Sequence, residues 1–136
     1  MEYAIGTALA LTVTASATVL GLDRERVFYP AMMIAIATYY ILFAAMGASA
    51  SVVIVESLAA GAFLLLTVIG FETSLWFVVA ALAGHGVFDI FHHLLIDDPG
   101  VPPWWPGFCS AFDILAAGYL AVLLTRRPSL ARTLHC

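Results

Sequence analysis

Long apolar blocks dominate this chain, and charge, proline or runs of small residues interrupt them at only a few places. A helix that crosses a bilayer needs about 20 mostly apolar residues. The first block of that length spans 3–21 and stops at Asp23-Arg24-Glu25-Arg26. Between Phe28 and Gly70 the only charged residue is Glu56. As one helix that stretch would be roughly 64 Å long, twice the hydrocarbon thickness, so it must fold back. Its softest point is Gly47-Ala48-Ser49-Ala50-Ser51, which separates a second span over 30–46 from a third over 50–70. Phe71-Glu72-Thr73-Ser74 makes a short turn before a fourth span, 75–96. Asp97-Asp98-Pro99-Gly100 stops that helix. Pro106 opens the fifth span, 106–125, because proline is tolerated in a first turn and not in a helix interior. The pattern predicts an all-α fold, a single polytopic transmembrane bundle of five spans.

Composition agrees. Of 136 residues 63% are hydrophobic and 10% charged, where soluble domains carry about a quarter charged residues. The five basic residues are all arginine. Without lysine there is no Schiff-base chemistry, hence no covalent retinal and no lysine-dependent aldol reaction. Nor is there a clustered basic face for nucleic acid. With five spans, the loop holding Arg24 and Arg26 and the tail holding Arg126, Arg127 and Arg132 lie on one side. The positive-inside rule makes that side cytoplasmic, so the N-terminus is expected outside and the C-terminus inside a bacterial inner membrane. Met1-Glu2-Tyr3 lacks a positive n-region, so the first span does not read as a cleaved signal peptide. Cys109 and Cys136 then fall on opposite sides, which excludes a disulfide within one chain. Trp104 and Trp105 suit the outer interfacial belt.

Ionisable groups inside a bilayer are costly, roughly 2.5–3.5 kcal/mol for an Asp near a helix centre, and this sequence carries several. On the fourth span His85, Asp89, His92 and His93 fall within an arc of about 100°, on one face. Asp89 and Asp113 lie about 10 Å, and Glu56 about 9 Å, from the expected outer ends of their spans. Three carboxylates from three helices thus meet one level, with His92 and His93 just above and His85 about one turn below. Isolated carboxylates in hydrocarbon protonate or pair, and a shared cation satisfies all of them. Mixed imidazole and carboxylate ligation suits Zn, Fe or Mn. Asp89 shares a face with His85 (i,i+4), His92 (i,i+3) and His93 (i,i+4). His85 and His92 stand about 10.5 Å apart along the axis, so either Asp89 bridges two ions or His85 supports one from outside. The candidate ligands are Asp89, His92, His93, Asp113, Glu56, His85 and Cys109, with Glu56 and His85 also candidates for catalytic acid–base work. The bland alternatives are interhelical hydrogen bonding for the polar set, an interfacial position for His93 and simple packing for Cys109.

Other positions read as structural. Asp97 and Asp98 suit solvated loop acids. Ala59, Ala60, Gly61, Ala80, Gly84, Ala116, Ala117 and Gly118 suit close helix packing. Tyr39 and Tyr40 suit core packing, or hydrogen bonds into the site. Below His85 only hydroxyls are in view: Thr14, Ser16, Thr18, Ser57 and Thr67.

The stretch His85-x3-Asp89-x2-His92, then Val101-Pro102-Pro103-Trp104-Trp105-Pro106-Gly107-Phe108-Cys109 and Asp113, resembles a family of small bacterial integral membrane proteins of unknown function. These carry an H-x3-D-x2-H stretch and a Pro/Trp-rich F-C-x3-D stretch. The resemblance covers residues 84–113 and implies that His85, Asp89, His92, Cys109 and Asp113 belong together. It brings no activity with it. The local chemistry points first to a membrane-embedded metalloenzyme acting on an apolar or lipid-like substrate from the outer side, with one or two divalent transition-metal ions. The Pro/Trp loop would serve as its lid. A proton or divalent-metal transporter is the alternative, disfavoured by polarity confined to one half of the bilayer. A small structural or accessory subunit is third. The bilayer is the expected partner, and self-association as a homo-oligomer is consistent with all three.

Overall fold

The computed structural model describes residues 1–132. Among them are α1 (Glu2–Leu20), α2 (Phe28–Gly47), α3 (Ala50–Glu72), α4 (Trp76–Leu95), α5 (Trp105–Arg126) and the single turn α6 (Pro128–Ala131). The first five are long and apolar enough to cross a membrane. Cys136 lies outside the described residues.

Local chemistry sets the helix ends. Gly21 closes α1 in the left-handed region (φ 77°), which costs glycine nothing. Pro106 sits in the first turn of α5, where its missing N–H costs no helical bond. At the far end of α3 the last carbonyls have no helical partner. Arg26 supplies one, donating to the carbonyls of Phe71 (2.8 Å) and Leu130 (2.5 Å) and so tying the α1–α2 turn to α3 and the tail. The tail also crosses the α3–α4 turn, where the Leu75 N–H donates to the Ala131 carbonyl at 2.9 Å.

In the packing order α5 lies between α1 and α4, α4 is followed by α3, and α3 by α2. The two central helices therefore carry most of the buried chemistry. Half of the α5 segment is buried, against 17% of the α3 segment. Close approach is set by glycines other than the expected ones. A Cβ on Gly86 would stand 2.8 Å from Ile114 Cγ1 and 3.2 Å from Asp113 Cβ, and one on Gly6 would collide with the Phe108 carbonyl. By contrast Gly61, Gly84, Gly118 and Ala80 are exposed. Gly61 and Gly118 have open space where a Cβ would sit. The packing role expected of Gly61 and Gly118 is corrected, since no neighbouring helix reaches them, whereas a Cβ on Gly84 would stand in ordinary contact with Phe63 of α3 at 3.6 Å.

Candidate metal centre

Two i,i+4 pairs on adjacent helices build the centre. His85 and Asp89 lie one above the other on α4, and Cys109 and Asp113 do the same on α5. The missing side chain at Gly86 lets those two faces approach. All four residues are buried, with His85 1%, Asp89 0%, Cys109 3% and Asp113 0% exposed. One ligand atom from each lies within 4.8 Å of all the others, so the four could hold a metal ion.

The contacts fit that role. His85 Nδ1 is 2.7 Å from Asp113 Oδ2 and 3.4 Å from Asp89 Oδ2. Cys109 Sγ is 3.9 Å from Asp113 Oδ2. Ligand atoms around a tetrahedral zinc stand roughly 3.3–3.6 Å apart, so an ion requires shifts of under about 1.5 Å. Asp89 Oδ2 and Asp113 Oδ1 are buried without a hydrogen bond. Buried oxygens in that state are costly, and a metal ion or a proton would relieve them. Phe63 meets the His85 ring edge-on at 4.9 Å, so the surroundings are apolar.

Glu56 and His92 do not enter this group. His92 Nε2 and Glu56 Oε1 pair with each other at 2.6 Å, both buried. His93 is exposed on the same helix. Rotation by 100° per residue carries it out of the bundle, which leaves its candidacy as a ligand without support from the geometry.

Tyr40 on α2 joins the two parts. Its hydroxyl donates to Asp89 Oδ1 at 2.6 Å, and its ring stacks on His92 at 4.2 Å and 19°. Core packing was the favoured expectation for this residue; the structure gives it the hydrogen bond as well. The available signal was a phenol deep in an apolar span, since a buried hydroxyl needs a partner. Removing such an outer partner costs metal affinity about 10–100-fold. Tyr40→Phe is therefore expected to weaken binding by that factor while the stoichiometry at saturating metal stays unchanged. A competition titration with a chromophoric chelator checks it.

A cavity of about 420 Å³ opens above the centre, and Asp89 and His92 form part of its lining. Pro102, Pro103 and Pro106 of the loop line it too. Asp98 belongs here and is not a solvated acid. It is 9% exposed, and its Oδ1 accepts the Gly100 N–H at 2.8 Å. Trp105 packs against α2, with its ring 5.0 Å from Tyr39 and 4.9 Å from Phe43.

Polarity is not confined to this end. Asp23, expected in a surface loop, is 1% exposed and accepts a hydrogen bond from Thr18 Oγ1 at 2.8 Å. The Thr18 hydroxyl also contacts the Tyr119 hydroxyl. Arg127 approaches Asp23 Oδ1 to 3.8 Å. These groups sit at the arginine-bearing end of the bundle. Asp113 and Tyr119 are about 9 Å apart along α5, with Ala116 and Ala117 buried between them.

The chain matches no protein-family model, no curated protein and no solved structure.

Proposed function

We propose that this protein is a membrane-embedded metalloenzyme. One Zn, Fe or Mn ion is held by His85, Asp89, Cys109 and Asp113, and the substrate is apolar or lipid-like. The supporting observation is that Asp89 and His92 both line the cavity above the centre, so a bound molecule reaches the metal group and the His92–Glu56 pair together. A thiolate in the set favours zinc, since carboxylate and imidazole alone serve all three metals. The metal supplies Lewis acidity. His92, oriented by Glu56, takes the proton from the attacking water, so Glu56 acts through His92 and His85 serves as a ligand. In the positive-inside orientation the cavity faces the outer side of a bacterial inner membrane. The mostly exposed α3 leaves room for a second copy of the chain.

Transport of protons or a divalent metal is the second reading. Asp23 with Thr18 and Tyr119 favours it, because buried polar groups then stand at both ends of the bundle. The apolar layer around Ala116 and Ala117 weighs against a continuous path.

The test is product analysis by mass spectrometry after incubating metal-loaded protein with a polar lipid extract. A new product is expected, its formation slowed by about 10²–10⁴-fold in Glu56→Gln with metal content preserved. No product from the loaded protein would overturn the enzyme reading, and full activity in Glu56→Gln would remove the His92–Glu56 pair from its mechanism. Flux of protons or metal in proteoliposomes would install the second.

A further inference from the structure

Two neighbouring cavities share one residue. The polar cavity above the metal group is lined by Glu2, Asp89, His92, His93, Asp97 and Asp98, among others. Beside it runs an apolar groove of about 520 Å³, lined by Met1, Glu2, Ile5, Trp104, Trp105 and Phe108. Glu2 borders both. The divide is made of side chains: a Cβ on Gly107 would meet Glu2 Cγ at 2.8 Å and the Tyr3 ring at 3.1 Å. A molecule with a polar head and an apolar chain can therefore lie across Glu2 with each part in matching surroundings.

Charge decides which head. The polar cavity has four carboxylates in its lining and no arginine, and the chain has no lysine. The terminal ammonium of Met1 pairs with Glu2 at 3.2 Å; among the described residues Asp97 has no cationic partner within ion-pair distance. Asp98 Oδ2 is buried with no hydrogen bond. A phosphate head would face these acids without a guanidinium to receive it, whereas an ammonium head would find partners.

We propose that the polar cavity and the groove together bind a single-chain amphiphile with a cationic head. The head sits between Asp97 and Asp98, outside the metal group, and the chain runs along Ile5, Trp104, Trp105 and Phe108. This deepens the enzyme reading by naming its substrate class, while the binding itself needs no metal.

The test uses bromine-tipped dodecyl probes with trimethylammonium, phosphate or maltoside heads. Bromine quenches tryptophan on contact. Protein carrying Trp76→Phe, so that only Trp104 and Trp105 report, is placed in nanodiscs of digalactosyldiacylglycerol, whose head carries no charge, with and without bound metal. Saturable quenching is expected from the ammonium probe at an affinity at least about tenfold above the other two, in both metal states. Asp97→Asn with Asp98→Asn should bring the three heads together. Equal or non-saturating quenching by all heads overturns the proposal, as does a maltoside probe that binds as tightly as the ammonium probe. Because metal-free protein is assayed in parallel, failure here is separate from failure of the metal site.

Discussion

In the Asp89→Asn variant, metal affinity is expected to fall by more than about 100-fold. Loss of an outer partner alone costs 10–100-fold, and Asp89 is proposed as a direct ligand. The amide is neutral and a far weaker donor to a divalent ion than a carboxylate. Its carbonyl can still accept the Tyr40 hydroxyl, which in the parent bonds to Asp89 Oδ1 at 2.6 Å. The bundle should therefore keep its fold, so the loss reports the ligand and not a collapsed protein. Asp113→Asn should behave alike, because Asp113 Oδ2 is the atom closest to His85 Nδ1. Competition against a chromophoric chelator, together with helix content by circular dichroism, measures both properties. Parent-like affinity in both variants would remove these carboxylates from the site.

Gly86→Ala is expected to destabilise the bundle by about 1–3 kcal/mol through overpacking and to weaken metal binding at the same time. Helix propensity argues the other way, since alanine in a helix interior is favoured over glycine by about 1 kcal/mol. Contact geometry decides. The new methyl would stand 2.8 Å from Ile114 Cγ1 and 3.2 Å from both Asp113 Cβ and the Ser110 carbonyl. Side chain and backbone of α5 would both have to move away from α4. That motion draws Cys109 and Asp113 back from His85 and Asp89, so stability and affinity fall together. Gly118→Ala is the matched control, with nothing within 4 Å of its added carbon. It should unfold at or above the parent temperature and bind metal normally. Thermal unfolding in mild detergent compares the three proteins, and a Gly86→Ala protein as stable as the parent would contradict the packing account.

The parts of the site legible from sequence are those that a single helix determines. His85 with Asp89, and Cys109 with Asp113, are each four residues apart, so helical periodicity alone places each pair on one face. The length of the apolar blocks likewise sets five long helices and the turns between them. What periodicity leaves open is which helices are neighbours and how each is rotated. His92 and His93 differ by one residue, yet one is buried against Glu56 and the other is exposed. Tyr40 meets Asp89 only because α2 packs on α4. Asp23 reads as a loop acid until the turn at Gly21 folds it back under Thr18. The small residues show the same limit. Gly86 and Gly61 are alike in sequence, and only the neighbouring helix makes one of them a contact.

Elemental analysis tests the central claim most directly. The protein is purified in mild detergent without chelators and without exposure to nickel resin, and its metals are counted per chain. One equivalent of zinc, iron or manganese is predicted, absent from Asp89→Asn and Asp113→Asn. Parent protein free of transition metal, and unable to take one up when zinc, iron and manganese are supplied, would contradict the account. The four buried residues would then be a proton-handling or structural cluster.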